Sequence, residues 1–217
     1  MSKLEDLKLY IQENKEEAVD HCESIFDLAN YSDEALFYSL IFCLLVPAGN
    51  ARRAVHGVHI LKNSNYANVS IDDLTLYNLL RSYVRFPKQK VSRVINFKRE
   101  SKAIIRWLRI NYSVLDSTTL RQELSSRVPG LGYKAASHFL RNIGITDLAI
   151  IDVHILKYRE YYMPQGKRTF LPTSPKKYLE LEKYFRHWSI FLGLTVAHLD
   201  WIIWCKESGN AVTALDC

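Results

Sequence analysis

A short glycine-containing turn between two helical segments constrains this chain more than any other stretch. Pro129 disfavours continuation of the helix before it, and Gly130 and Gly132 permit a tight turn of the backbone. In the segment that follows, Tyr133–Asn142, apolar residues recur at three- and four-residue spacing on one face. The sequence therefore predicts two helices joined by a hairpin, a helix-hairpin-helix motif.

The predicted hairpin gathers a helix N-terminus, backbone amides and the side chain of Lys134 at one corner. Amides without partners and the helix dipole both favour an anion at such a corner. A phosphate group is the expected ligand. The simplest role for Lys134 there is a positive charge next to a nucleic-acid backbone.

Helical periodicity extends through the rest of the chain. Sustained period-two alternation is absent from the sequence, as are internal repeats and low-complexity segments. We predict an all-α fold of about nine or ten helices, arranged as two helical lobes with the hairpin motif. The 217 residues suffice for one domain, 1–217, with lobe one over about residues 33–145 and lobe two over about 1–32 plus 146–217.

Caps, prolines and apolar stripes set the expected helix boundaries. Ser32 is a good N-cap, and either Asp116 or Ser117 caps the first arm of the hairpin. The helix that follows Ser32 is apolar almost all round and is expected to be central. The predicted helices cover residues 4–29, with a candidate break near 14, and then 33–47, 51–61, 72–84, 88–108, 117–128, 133–142, 147–162, 176–192 and 195–205.

Charge is distributed unevenly, although the net charge of the chain is only +6. Residues 1–34 contain ten acidic and three basic residues, whereas nine basic residues between Arg85 and Arg109 are opposed only by Glu100. A run of this kind is usually a solvated face. Next to a predicted phosphate-binding hairpin, it is better explained as one side of a nucleic-acid groove.

Cysteine spacing and hydropathy argue against a metal cluster and a membrane segment. The four cysteines, Cys22, Cys43, Cys205 and Cys217, lack the paired spacing of zinc or iron–sulfur sites. We therefore predict that they are free thiols and that the chain has no metal ligands. Cys22 and Cys43 lie among apolar helix residues and are expected to be buried. The longest apolar run, 35–46, is too short to span a bilayer, and the N-terminus lacks the apolar core of a signal peptide. We expect a soluble, cytoplasmic protein.

Asp152 lies in an apolar segment, where burial of a carboxylate is costly. One explanation is a helix cap that satisfies the amide of Ile155 or Leu156. The alternative makes Lys134, 18 residues earlier, a nucleophile and Asp152 its electrostatic partner. An amine attacks only when neutral, a state that packed helices, a helix N-terminus and cationic neighbours favour but direct contact with a carboxylate opposes. The Asp152 carboxylate is therefore expected near the sugar, where positive charge develops at C1′.

Two motifs in this region resemble the helix-hairpin-helix superfamily of DNA glycosylases. That superfamily has a hairpin of the form L-P-G-x-G-x-K-x-A followed by an aspartate in V-D-x-H-[VI], and this chain has V-P-G-L-G-Y-K-A-A and I-D-V-H-I. Three further segments are similar to the small archaeal and bacterial 8-oxoguanine DNA glycosylase/AP lyase family: K-A-A-S-H-F-L-R-N-I-G, Y-V-R-F-P-K-Q-K and L-D-W-I-I-W-C-K-E-S-G. The likeness extends from about residue 36 to 209. The chain lacks the four clustered cysteines of endonuclease III, which argues against that branch.

The resemblance implies a bifunctional enzyme that acts on double-stranded DNA containing 8-oxoguanine. The damaged base is flipped into a pocket, Lys134 attacks C1′ and expels the base, and β-elimination from the resulting Schiff base cuts the strand. Asp152 stabilises the transition state. No cofactor is required, although a monovalent cation at the hairpin carbonyls is compatible with the family. The enzyme is expected to act as a monomer, without a membrane.

The resemblance also implies how DNA outside the base pocket is held. Amides of Gly130 and Gly132 hold one phosphate near the lesion, and Ser137 or His154 holds another. Asn50, in the turn after the buried helix, occupies the position at which the family fills the gap left by the flipped nucleotide. A simpler role for Asn50 is to close its own turn.

The base pocket that the resemblance implies contains Trp204, which suits stacking on a flat purine, and Phe86 as a second candidate. Trp201 is expected to belong to the core. The chain departs from the family after its K-E-S-G segment, because it continues through residues 211–217 where relatives tend to end. Two alternatives remain: a glycosylase for another lesion, either an oxidised pyrimidine or mispaired adenine, and a non-catalytic hairpin module that binds DNA.

Overall fold

The computed structural model describes residues 2–25, 28, 31–164 and 171–209, with the backbone alone for 21–25. Within these ranges the chain forms eleven α-helices and no β-strand, which confirms the predicted all-α fold. Cys22, Cys217 and the C-terminal segment 211–217 lie outside the described side chains. The helices are α1 (Lys3–Ile25), α2 (Asp33–Leu45), α3 (Ala51–Asn63), α4 (Asp73–Leu80), α5 (Pro87–Asn111), α6 (Ser117–Arg127), α7 (Tyr133–Asn142), α8 (Val153–Leu156), α9 (Arg159–Tyr162), α10 (Pro175–Phe191) and α11 (Val196–Ser208).

The described residues form two compact units. The first unit contains the described residues up to Leu28 and those from Leu140 onward. The second unit contains the described residues between Leu28 and Leu140. The border falls within α7, so Lys134 belongs to the second unit and Asp152 to the first. The two-lobe domain organisation with a border near residue 145 stays a prediction.

The core of the second unit is built around α2. Ser32 caps this helix, as predicted, because its Oγ accepts a hydrogen bond from the amide of Ala35 at 3.1 Å. Most of α2 is buried, and it packs against α3 and α5, while α4 packs against α5. Phe37 stacks on Phe97 with ring centroids 5.4 Å apart. The central apolar helix α2 thus supports α5. Asp116 caps α6, the first arm of the hairpin.

The core of the first unit forms where α11 meets α1, α8 and α10. Helix α1 is continuous and lacks a break near Asn14, whose Nδ2 donates to the carbonyl of Tyr10 at 2.9 Å. Trp188 stacks on Tyr162 at 5.4 Å and packs edge-on against Phe185. These aromatic contacts anchor the short helix α9 to α10.

The predicted helix 147–162 is wrong in its first third, because residues 147–152 are irregular and α8 begins only at Val153. Side chains of α10 satisfy the backbone of this segment instead of a helical ladder. Glu182 Oε1 accepts from the amide of Ala149 at 2.9 Å, and the Tyr178 hydroxyl accepts from the amide of Ile151 at 3.1 Å. An apolar run supported by a neighbouring helix need not be helical itself.

No single helix in the described ranges is long and apolar enough to cross a membrane. Helices α10 and α11 reach the necessary length and composition only as a pair, and they are bent by 92° at their junction.

Candidate active site and nucleic-acid interface

The hairpin forms as predicted, with α6 and α7 joined by a tight turn. The amide of Leu131 donates to the carbonyl of Val128 at 3.0 Å, and Gly130 has a φ of 93°, in the left-handed region that favours glycine. Ser125 Oγ donates to the carbonyl of Leu131 at 2.7 Å and fixes the turn on the end of α6. Helix α7 then begins at Tyr133, so its N-terminus opens at this turn.

The side chain of Arg93 lies directly across Gly130. A Cβ atom built on Gly130 would lie 2.4 Å from Arg93 Cδ and 2.5 Å from Arg93 Nε, which is closer than atoms approach without a bond. At Gly132, by contrast, no atom of the described residues lies within 4 Å of such a Cβ. The hairpin therefore has one crowded glycine, which admits a guanidinium group, and one glycine that faces open space.

Lys134 is exposed in the first turn of α7, next to Gly132. The sequence led us to expect that packed helices would remove this side chain from water, and on that point the prediction is wrong. The positive end of the α7 dipole lies at the same turn of the helix. Removal of Lys134 from water is thus left to whatever molecule binds over the hairpin.

Ser137 does not face a phosphate, which corrects the prediction made for it. Its side chain is fully buried, and its Oγ accepts a hydrogen bond from Arg121 Nη1 at 3.1 Å. Arg121 is itself fully buried and lies 4.9 Å from the centroid of the Tyr133 ring. The sequence did not indicate a buried role for Arg121, which directly follows Leu120 in α6, because arginine is rarely a core residue.

Asp152 is the N-cap of α8. Its Oδ1 accepts from the amide of His154 at 2.8 Å and from that of Ile155 at 3.1 Å, as the capping explanation predicted for Ile155. The amide of Leu156 instead donates to the Asp152 carbonyl at 3.1 Å. The cap fixes the half-buried carboxylate, and because a carboxylate has about four acceptor positions, capping leaves room for a second role.

His154 lies in the single turn of α8 and is half-buried. Its Nδ1 atom is buried without a hydrogen-bond partner among the described residues. A contact with DNA would therefore use the other ring nitrogen or the backbone.

The tryptophans of α11 form a stacked pair. Their ring centroids are 5.2 Å apart and the ring planes are inclined by 24°. Trp201 is buried, as expected of a core residue, whereas Trp204 is half-buried. Trp204 therefore keeps part of its surface in contact with solvent.

Phe86 is an exposed aromatic residue with a strained backbone. Its side chain is 53% exposed, and its φ of 58° lies in the left-handed region just before Pro87. The guanidinium group of Arg85 lies 4.9 Å from the centroid of its ring. Exposure and backbone strain occur together at ligand sites more often than in the core, which fits a base-contacting role.

Asn50 is the N-cap of α3, because its Oδ1 accepts from the amide of Arg53 at 3.1 Å. The simpler role for this residue, closing its own turn, is therefore the one that the contacts describe. Its side chain is exposed, so a gap-filling role would start from a residue held at the tip of that turn.

Lys90 does not belong to a nucleic-acid face, although it lies in the basic run. It is only 2% exposed, and its Nζ donates to the carbonyl of Pro47 at 2.7 Å and to the carbonyl of Leu45 at the end of α2. Burial and, to a smaller extent, the nearby charge of Arg93 lower the pKa of Lys90 to about 8. The α5 sequence turns this position inward, a direction that the charge count alone does not reveal.

Two more basic residues of the run serve the fold of the second unit. Lys98 Nζ donates to the carbonyls of Tyr66 and Val69, and Arg109 forms an ion pair with Asp33 at 2.7 Å. Four others are exposed along one side of α5 and form what we call the α5 stripe: Lys88, Arg99, Lys102 and Arg106.

The α5 stripe borders a groove of about 550 Å³ between α4 and α5. Lys88 and Arg99 line it together with polar groups of Tyr77, Ser92 and Asn96. None of the four stripe residues is in an ion pair with another residue of the described ranges. Their charges are therefore available to an external anion such as a phosphate backbone.

Groups of three or more histidine, cysteine, aspartate or glutamate residues that could hold a metal ion do not occur among the described residues. Cys43 and Cys205 are buried and form no disulfide. As ligands for a cation, the described residues of the hairpin turn offer backbone carbonyls.

Comparison with known proteins gives one family across most of the chain. A family model described as 8-oxoguanine DNA glycosylase matches residues 19–194. The 8-oxoguanine DNA glycosylase/AP lyase of Thermoplasma acidophilum is 34% identical over 191 residues, which is 88% of each chain. The protein of the same description from Korarchaeum cryptofilum is 34% identical over 184 residues, 83% of this chain and 84% of that one.

Solved structures with the same fold come from the same group of proteins. The Methanocaldococcus jannaschii 8-oxoguanine glycosylase/lyase, in complex with a 15mer DNA containing 8-oxoguanine, is similar with a TM-score of 0.77 and 28% identity over 94% of this chain and 98% of that chain. The Thermotoga maritima 8-oxoguanine DNA glycosylase gives a TM-score of 0.79 and 26% identity over 95% and 96% of the two chains.

Proposed function

The chain belongs to the 8-oxoguanine DNA glycosylase family, and we propose that it excises 8-oxoguanine from duplex DNA and then cleaves the strand as an AP lyase. It is a DNA repair enzyme of the base excision type. Membership of an enzyme family argues against a non-catalytic DNA-binding module. The observation that carries the mechanism is the exposed amine of Lys134 at the start of α7, beside a hairpin turn that can hold a phosphate.

In the proposed reaction, the neutral amine of Lys134 is the nucleophile. Its lone pair forms a bond to C1′ of the flipped nucleotide while the bond from C1′ to the base breaks, and the base leaves with that electron pair and is then protonated. The nitrogen then loses a proton, and the bond from C1′ to the ring oxygen breaks as that oxygen takes up a proton, which gives a Schiff base between Lys134 and the opened sugar. Loss of a proton from C2′ then breaks the bond between C3′ and its oxygen, which cuts the strand on the 3′ side of the lesion. Water later hydrolyses the Schiff base and releases Lys134.

Asp152 is proposed to stabilise the positive charge that develops at C1′. Two amides of α8 hold its Oδ1, which supports this role because a fixed carboxylate needs no reorganisation during the reaction.

The DNA backbone is proposed to bind at the hairpin and at α8. Amides of Gly130 and Gly132, the N-terminus of α7 and the guanidinium group of Arg93 support one phosphate site, and His154 supports another. A monovalent cation is part of the proposal for the hairpin. The carbonyl of Val128 already accepts one hydrogen bond there, and its second lone pair could serve as a ligand.

The base pocket is proposed to contain Trp204 and Phe86, the former supported by its partly exposed side chain and the latter by its exposure. Asn50 is proposed to enter the gap in the duplex, which would require it to release the amide of Arg53.

We further propose that the enzyme acts as a monomer on chromosomal DNA in the cytoplasm. Sedimentation of the free and DNA-bound enzyme would test whether it is a monomer.

Borohydride trapping tests the central proposal. Reduction during turnover should link the enzyme covalently to duplex DNA that carries 8-oxoguanine, and Lys134→Gln should abolish the adduct. Lys8→Gln is a matched control, because Lys8 is an exposed lysine on the acidic helix α1. An undiminished adduct with Lys134→Gln, or no adduct with the unaltered enzyme, would remove the Schiff-base mechanism.

A further inference from the structure

Arg141 and Asp200 form an ion pair in the first unit that is almost closed to water. Arg141 Nη1 donates to Asp200 Oδ2 at 2.8 Å, and the two side chains are only 6% and 5% exposed. Burial removes both charges from water, and this cost often matches or exceeds their attraction. Such a pair adds little net stability compared with apolar packing. Its role is therefore better sought in the side chains whose positions it fixes.

The ion pair fixes the position of the tryptophan pair on α11. The guanidinium carbon of Arg141, at the end of α7, lies 5.1 Å from the centroid of the Trp201 ring. Trp201 in turn stacks on Trp204 with centroids 5.2 Å apart. A cation over an indole ring and an offset stack of two indoles are both favourable arrangements. A continuous series of contacts therefore runs from Asp200 through Arg141 and Trp201 to Trp204.

Each member of this series restricts the next. Asp200 holds the guanidinium plane of Arg141, which covers the Trp201 ring, and Trp201 covers one face of Trp204. Trp204 is half-buried and is the most exposed member of the series, because Arg141, Asp200 and Trp201 are all buried.

We propose that Arg141 and Asp200 are positioning residues for base recognition, acting through Trp201 to hold the Trp204 ring against the flipped base. The inference rests on the proposed role of Trp204 in the base pocket. It assigns to a buried ion pair the part of the reaction that distinguishes a damaged nucleotide from an abasic one. The pair should therefore matter for base excision and not for strand cleavage at a site that has no base.

Arginine suits this position better than lysine. Its guanidinium group is planar and can pair with a carboxylate while it stacks on a ring, whereas an ammonium group is a compact charge that cannot do both. Arg141→Lys therefore keeps the buried charge and its partner but weakens the stack. Arg186→Lys is the matched control, because Arg186 pairs with Asp147 at 3.4 Å in the same unit but is partly exposed and lies over no ring of the described chain.

The test compares two reactions of each variant in single-turnover assays: excision from an 8-oxoguanine duplex and strand cleavage at a preformed abasic site in the same duplex. Arg141→Lys should slow excision by about three- to tenfold, the range expected for one cation–ring contact. Trp204→Ala should slow it by about tenfold or more, since a base stack is lost. Cleavage at the abasic site should change by less than about twofold in both, because no base is present to contact the ring.

Circular dichroism provides the structural readout, because two stacked indoles give an exciton couplet that Arg141→Lys should reduce and Arg186→Lys should preserve. If Arg141→Lys fails to fold, Asp200→Asn replaces it, since that change keeps the shape of the partner and removes its charge. An Arg141→Lys or Asp200→Asn variant that slows both reactions equally has a general structural defect, and the inference is then overturned.

Trp204→Ala separates this inference from the proposed function. If that variant excises 8-oxoguanine at an unchanged rate, the proposed base pocket is wrong and the inference is overturned with it. If Trp204→Ala is slow and Arg141→Lys is not, the pocket stands and only the positioning role is overturned.

Discussion

Gly130 combines two properties that any other residue would lose. Its φ of 93° is strained for a residue with a side chain, and a Cβ would lie 2.4 Å from Arg93 Cδ. Gly130→Ala should therefore lower the free energy of unfolding by about 1–3 kcal/mol, measured by urea denaturation. It should also weaken binding to undamaged duplex DNA, because Arg93 is displaced from the hairpin.

Gly132→Ala is the control for that change, because a Cβ there meets no atom of the described residues within 4 Å. Its folding stability should match that of the unaltered protein. Equal loss of stability in the two variants would contradict the close approach of Arg93 to Gly130.

Lys90 should make stability depend on pH in the alkaline range. Burial lowers its pKa from 10.5 to about 8, so the unfolded chain binds more protons than the folded chain between these values, and stability rises with pH there. Relative to Lys90→Met, which has no titrating amine, the unaltered protein should gain about 2 kcal/mol between pH 8 and pH 10. Urea denaturation of both proteins at several pH values measures this difference, and parallel pH profiles would contradict it.

At the scale of single residues, the sequence predicts the chemistry of a side chain more reliably than it predicts whether that side chain is buried. Residue types and separation singled out Lys134 and Asp152, because a hairpin lysine and an isolated acid are informative wherever they point. Ser137 and Lys90 were misassigned because a polar residue at the margin of a helix can turn either way. The partners that turn them inward, Arg121 and the carbonyl at the end of α2, belong to other elements.

Among the elements, α8 is a single helical turn whose start depends on Asp152. Asparagine caps helices about as well as aspartate, so Asp152→Asn should keep the fold and lesion binding while it slows base excision by roughly 100-fold or more through loss of charge. Asp152→Ala should in addition lower stability by about 1 kcal/mol. Thermal unfolding and single-turnover excision measure the two effects. Unchanged excision by Asp152→Asn, together with lower stability of Asp152→Ala, would indicate that the cap is the main role of this residue.

Helix α5 should supply part of the salt dependence of DNA binding through the α5 stripe. Each phosphate contact contributes roughly 0.9 to the slope of log affinity against log salt concentration. The double variant Lys102→Gln, Arg106→Gln should therefore reduce the slope by up to about 2, whereas Lys8→Gln on α1 should not change it. Fluorescence anisotropy with an undamaged duplex measures the slope. A double variant with the slope of the unaltered protein would exclude this part of the stripe from the interface.

Helix boundaries were predictable where a local signal defines them and not elsewhere. The caps Ser32 and Asp116 were identified because the capping side chain and the amide that it accepts are neighbours in the chain. The irregular segment 147–152 was not, because Tyr178 and Glu182 satisfy its backbone from about 30 residues away. Apolar content alone does not distinguish such a segment from a buried helix.

For the whole molecule, the residues proposed for base recognition lie apart along the chain from those proposed to contact backbone and sugar. The hairpin, Lys134 and Asp152 are proposed to contact phosphates and sugar, groups that every lesion shares, whereas Trp204 lies on the last helix. The residues proposed for catalysis therefore do not define the lesion, and their motif alone leaves open a glycosylase for oxidised pyrimidines or mispaired adenine. Family membership favours 8-oxoguanine.

The lesion range should follow from that separation. In duplexes that differ only in the lesion, the unaltered enzyme should excise 8-oxoguanine at least about tenfold faster than thymine glycol or adenine opposite 8-oxoguanine. A stacked indole favours a flat oxidised purine over a saturated pyrimidine, and the pocket is expected to discriminate between the two purines. Trp204→Ala should narrow this preference mainly by slowing the 8-oxoguanine reaction, while cleavage of a common abasic duplex normalises for DNA binding and lyase chemistry. Equal or faster excision of thymine glycol by the unaltered enzyme would show that the pocket selects a different base, with the hairpin chemistry unchanged.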